Sequence, residues 1–210
     1  MGEGKLATQG TIGMVGDFRE KLVAALAPEN PKLLFYARGS KHPPYNQLPV
    51  KETLGKFCAE FLPLSPIIDP RQKPIAVVKG NFPKLAGLKH KTLSREDYPA
   101  RKIVAAIENG TFDAGDYVSG LDDRIKTLFW LPELLRDPDA IYRNAHKIVA
   151  GDEVYVRVYD KMGSSVKLAF TMDLKRKGEI IRTVVITSFL TDPATAASYV
   201  KGKPLYARPK

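Results

Sequence analysis

Between Gly151 and Thr191 the chain reads as three consecutive strands, the first two alternating apolar and polar residues, a pattern that narrows the possible folds more than any other segment does. The strands are predicted over 152–160, 165–174 and 179–190. Lys161, Met162, Gly163 and Ser164 form the first turn between them, and Lys175, Arg176, Lys177 and Gly178 the second. Side chains along a strand point to opposite faces in turn, so Val154, Val156 and Val158 are expected to face a core. Tyr155, Arg157 and Tyr159 then point to the other side. Val166, Leu168, Phe170 and Met172 repeat the pattern against Lys167 and Thr171. The expectation is a small antiparallel meander whose second face presents Arg, Lys, Tyr and Thr to solvent.

The rest of the chain supplies helices rather than further sheet. Leu54, Phe57, Cys58 and Phe61 share one side of a predicted helix over 52–61. Pro63, Pro66 and Pro70 then predict a rigid, extended connection. A second helix is expected over 95–109, with Ile103, Ala106 and Ile107 apolar and Gly110 as its stop. A third is expected over 123–135, kinked or split at Pro132. Asp137, Pro138, Asp139, Ala140, Ile141 and Tyr142 read as the opening of a further helical turn. Nearer the N-terminus a short helix over 18–26, a strand over 32–37 and a Pro-rich loop over 39–49 are expected, after a polar, Gly-rich and disordered start. A polar, Ala- and Lys-rich tail is expected beyond Pro193. Helices segregated from an antiparallel sheet define an α+β fold. The domain division that follows is an N-terminal extension over 1–81 and a helix-plus-sheet domain over 82–210.

Charge gives this sheet a candidate partner. The 210 residues hold 33 Lys and Arg against 23 Asp and Glu, a net charge of +10, which favours phosphate backbones and acidic surfaces. No apolar run approaches the length of a membrane span, so no membrane partner is expected, and the first residues have no apolar core of the signal-peptide kind. One cysteine, Cys58, excludes an intrachain disulfide and a thiolate metal cluster, and reads as a buried helix residue rather than a nucleophile. A cytoplasmic site of action is the simplest expectation.

The histidines, His42, His90 and His146, are too scattered for a metal site, and no phosphate-binding glycine loop or serine-hydrolase elbow is present. No cofactor and no metal are called for. RNA can be cut without either. A base takes the 2′-hydroxyl proton, a cation stabilises the charge developing on phosphorus, and an acid protonates the leaving oxygen. Arg157 and Tyr155 share one strand face, and Lys167 and Thr171 flank them on the next. Thr187 and Ser188 interrupt an otherwise apolar run; they either donate to a phosphate or pair across strands. His90 and Lys91 precede a helix, where neighbouring positive charge favours the neutral imidazole that a base needs; an exposed loop histidine is the other reading. Arg124 and Lys126 open the third helix. Arg124 is either a phosphate ligand or a partner for Asp122 and Asp123. Lys175, Arg176 and Lys177 form a solvated turn or hold substrate backbone. His146 and Lys147 are a weaker pair before the sheet.

These residues together resemble a known group. Arg124-Ile125-Lys126-Thr127-Leu128, then Leu135 to Ile141, then Val154-Tyr155-Val156-Arg157-Val158-Tyr159 and Val185-Ile186-Thr187-Ser188-Phe189, look like the barnase–EndoU–colicin–RelE-like nuclease superfamily. The similarity is greatest to its phage-associated branch and covers roughly residues 82–192. The resemblance implies a metal-independent endoribonuclease of toxin type, acting on tRNA or other RNA, with an acidic immunity or antitoxin protein as a cognate partner. It also implies, by position, that His90 or Arg124, Arg157, and Thr187 or Ser188 carry catalysis. The alternatives are a nucleic-acid-binding module without chemistry and an interaction protein with an acidic partner.

Overall fold

The alternating segment is the centre of a sheet that is wider than three strands. The computed structural model describes residues 50–60, 62–88, 90–92, 100–117, 124–125, 127–145, 149–159, 166–200 and 202–209. The elements expected before residue 50, and Lys126, His146 and Lys147, lie outside the described residues. Seven strands form one mixed sheet: β1 (Ile67–Ile68), β2 (Pro74–Ala76), β3 (Ala140–Arg143), β4 (Glu153–Val158), β5 (Val166–Arg176), β6 (Glu179–Thr191) and β7 (Tyr206–Ala207). Their order across the sheet is β1-β2-β6-β5-β4-β3-β7, with β2 parallel to β6 and every other neighbour antiparallel.

The helices are α1 (Val50–Glu60), α2 (Phe82–Leu85), α3 (Ala100–Glu108), α4 (Trp130–Arg136) and α5 (Pro193–Tyr199). The fold is α+β, with the main helical layer preceding the long strands. In α1 the i, i+3 pair Leu54 and Phe57 turns inward, and Phe57 stacks on Phe82 at 5.5 Å and meets Phe129 edge-on at 5.7 Å. Pro132 lies in the first turn of α4, where a backbone N–H has no intrahelical partner, so the helix begins just before the proline instead of kinking at it. Trp130 stacks on Tyr159, the residue after β4, at 4.2 Å.

Two cores result, one on each face of the sheet. The first joins α1, α2, α3 and α4 to Ile67, Ile75, Ile141, Tyr155, Ala169 and Val185. The second joins Val154, Val156, Val158, Leu168 and Phe170 to Ala196 of α5 and Val200. This corrects the open meander: the face carrying Tyr155, Arg157 and Lys167 is roofed by the helices, and all three are buried. Period-2 alternation identifies the two faces but does not say that the polar-looking one is wet.

Three further expectations are corrected. Residues 137–142 enter strand β3 rather than a helix, because Ile141 faces one core and Tyr142 the other, and a strand covered on both faces reads as a continuous apolar run. The Pro-rich connection after α1 contains β1, and the tail contains α5 and β7. Within the described residues β2 pairs with β6 and α1 packs into the first cluster, so residues on both sides of position 81/82 share that core.

Candidate functional site

The roofed face holds two polar clusters at its two ends. Toward the β1–β2 turn, Asp69 accepts hydrogen bonds from Tyr155 Oη (2.7 Å), from Arg71 Nη2 (2.8 Å) and Nε (3.0 Å), and from the backbone N–H of Arg71 and Lys73 (2.8 Å each). Arg71 also donates to both Glu153 carboxylate oxygens, at 2.8 and 3.2 Å. Lys73 bridges Glu153 and Asp173, at 3.3 and 2.9 Å, and Thr183 Oγ1 donates to Asp173 at 2.6 Å. Burial alone would raise the Asp69 carboxyl. The N–H of Lys73, the Tyr155 hydroxyl and Arg71 outweigh it and hold the carboxyl below its ordinary range. Burial raises Tyr155, whose hydroxyl is thereby kept as a donor. Each charge here has an opposite partner, so the cluster fastens the edge hairpin to β4, β5 and β6.

The other end is sparsely paired. Arg157 and Lys167 stand directly opposite each other on β4 and β5, an unfavourable placement for two cations. Their side chains part. Arg157 Nη1 donates to the Asp137 carbonyl (3.1 Å), the Asp137 carboxylate (3.3 Å) and the Glu133 carbonyl (3.4 Å), so it caps the C-terminal end of α4. Its guanidinium also lies 5.0 Å from the Tyr159 ring.

Lys167 is 1% exposed and donates to Thr127 Oγ1 at 2.8 Å. Burial, joined by repulsion from Arg124, pulls its amine down to about 7. Arg124 itself is partly exposed. Its guanidinium lies 5.7 Å from the Phe189 ring, and Nη1 donates to the Lys84 carbonyl at 3.4 Å. Its side chain crosses Gly87, where a Cβ would come within 2.7 Å of Arg124 Cδ and where φ is +71°. The arrangement is a neutral-poised amine behind a guanidinium that reaches solvent.

The remaining sequence-predicted residues are dispersed. Ser188 is buried and donates to the Leu168 carbonyl at 2.8 Å. Thr187 is buried opposite Phe170, on the second-core side. Thr171 is buried, and its Oγ1 has no hydrogen-bond partner among the described residues. His90 bridges to Tyr117, rings 5.6 Å apart, and its Nδ1 accepts from the Thr92 N–H at 3.2 Å; Lys91 beside it is exposed. Cys58 is half-buried, and burial pushes its thiol up to about 11, away from nucleophilic use. Lys175, Arg176 and Lys177 are exposed at the hairpin end, but Lys175 and Arg176 belong to β5, and the turn is only Lys177 and Gly178. Thus the structure groups Arg124 with Lys167 and leaves Arg157, Thr187, Ser188 and His90 in separate settings.

Sequence reasoning missed Thr127 and the Asp69 cluster. Thr127 had a signal, a lone hydroxyl within Ile125 to Leu131. Asp69, Arg71 and Glu153 had none, because their pairing spans more than eighty residues of chain. Among the described residues no three His, Cys, Asp or Glu side chains are placed to hold a metal ion, and no helix is long and apolar enough to cross a membrane. Comparison of the chain with protein-family models, curated proteins and solved structures found no match.

Proposed function

We propose that this chain is a metal-independent endoribonuclease of the barnase–EndoU–colicin–RelE-like kind, with Arg124 and Lys167 at its reactive centre. The observation that carries the reading is the Lys167 amine, pulled to about 7 beside a guanidinium that reaches solvent. A buried lysine tuned to neutral pH is costly to a fold and suits proton transfer. An RNA phosphate on Arg124 would neutralise the repulsion that depresses the amine, so substrate binding itself would favour proton uptake by Lys167. The 2′-oxygen then bonds to phosphorus as its proton leaves, the P–O5′ bond breaks, and the 5′-oxygen is protonated, leaving a 2′,3′-cyclic phosphate. Arg124 stabilises the negative charge gained at phosphorus. Because the amine is enclosed, it acts on substrate after the chain around Arg124 shifts. Half-buried His90 and exposed Lys91 supply a second pair for the acid role or for backbone contact. A cytoplasmic site of action and tRNA as a substrate follow from this reading, as does an acidic immunity or antitoxin protein as its inhibitor.

A second reading, a binding module without chemistry, is favoured by the exposed cations Lys175, Arg176, Lys177 and Arg182, which can meet a nucleic-acid backbone while Lys167 stays enclosed. Incubation with tRNA in excess EDTA, with end-group analysis, separates the two. Discrete products ending in cyclic phosphate, formed more slowly by Arg124→Ala, support the nuclease. Salt-sensitive binding without products supports the module, and capture of a stoichiometric acidic protein without RNA overturns both.

A further inference from the structure

The hairpin of β5 and β6 outruns the sheet. Pairing of β4 with β5 stops at Glu153 and Thr171, and pairing of β2 with β6 starts at Ile75 and Thr183. Among the described residues, the rungs Leu174–Arg182, Lys175–Ile180 and Arg176–Glu179 therefore have no strand on either side. Every residue from 174 to 182 is exposed. Ile181 is 63% exposed, Ile180 55% and Leu174 40%, apolar side chains that a two-stranded ribbon has no internal reason to carry. Around them stand Lys175, Arg176, Lys177 and Arg182 against the single carboxylate of Glu179. Among the described residues Arg176, Lys177 and Arg182 make no ion pair. The turn is stiff: Lys177 at φ 51° and Gly178 at φ 86° give the primed two-residue form that matches strand twist.

We infer that this free hairpin end is an arm that docks on a base-paired RNA stem, with Arg182 and Arg176, which share a face with Leu174, meeting phosphates and the exposed isoleucines adding apolar contact. The choice of RNA rests on the nuclease reading; the choice of a polyanionic helix rests on the arm. The Arg182 rung and the Arg176 rung are two β5 residues apart, about 7 Å, and Lys177 extends the span further. With their long side chains these cations bracket a shallow groove, and the wide minor groove of A-form RNA presents ribose faces between two lines of phosphate. A single strand fits poorly, because such sites stack bases on aromatic rings and residues 174–182 contain none.

The test measures binding and EDTA-resistant cleavage of three probes: a stem-loop RNA, an unstructured RNA of equal length, and a DNA duplex of the stem sequence. Wild-type protein should bind the stem-loop at least about tenfold tighter than either other probe. In Arg176→Glu/Lys177→Glu that preference should disappear, and the slope of log affinity against log salt should fall by about 2. Ile180→Thr/Ile181→Thr should weaken stem binding by about three- to tenfold. These side chains touch no core, so an unchanged melting temperature shows that both variants fold. Equal affinity for all probes, tighter binding to the DNA duplex, or stem binding unchanged in the variants would overturn the arm. Cleavage that persists alongside any of those results leaves the nuclease reading standing. Stem binding that needs the arm but yields no product supports the arm and removes the nuclease.

Discussion

The Asp69 cluster and the Lys167 site lie on the same roofed face of one sheet, and they treat charge in opposite ways. Around Asp69, three carboxylates and two cations satisfy one another, with the Tyr155 hydroxyl completing the set. Around Lys167, one hydroxyl partner is offered and the nearest charge is another cation. A saturated network stabilises a fold, whereas a buried amine facing a like charge destabilises it. On the proposed reading, the Asp69 end holds the fold and the Lys167 end carries the chemistry.

Four substitutions probe this contrast. Asp69→Ala leaves Arg71 and Tyr155 buried without their shared acceptor and should cost about 3–5 kcal/mol, read from the urea midpoint. Lys167→Met should move stability the other way, by about 1–3 kcal/mol at pH 7, because methionine fills the stem's space without burying an amine. A loss in that variant would erase the distinction between the clusters. Tyr155→Phe should cost about 1 kcal/mol, since Asp69 keeps its other donors. Arg176→Glu on the free hairpin should stay within about 0.5 kcal/mol.

The pH dependence sharpens the same comparison. Lys167 titrates at about 7 in the folded chain and at its ordinary 10.5 when unfolded. Between those values the unfolded chain holds the extra proton, so stability should rise with pH across that window and level off above it. The rise should be absent from Lys167→Met; an identical pH profile in the variant would show that the amine is not so perturbed. At the other end Asp69 is held below its ordinary 3.8, so its contribution is present above that value and is lost as acid protonates it.

The strands from 153 onward were legible because alternation is a local property, and β4, β5 and β6 fall where it put them. Their neighbours were not. β1, β2 and β7 are two or three residues long, and β3 is an apolar run indistinguishable from a helix start by periodicity. Missing those strands hid the width of the sheet, and with it the helical roof that buries Arg157 and Lys167. The site was half legible: Arg124 and Lys167 were both singled out, but as contributors to an open surface. Their relation depends on burial and on Thr127, forty residues from Lys167, which no local pattern encodes.

The most direct measurement is the pH–rate profile of tRNA cleavage in EDTA, for the wild-type protein and for Arg124→Ala. Cleavage should show an inflection near pH 7 that moves to higher pH in the variant, whose residual rate is also lower, because burial still depresses Lys167 but the repulsion added by Arg124 has been removed. Intact tRNA with well-folded protein, or an inflection that stays in place when Arg124 is removed, would contradict this chemistry.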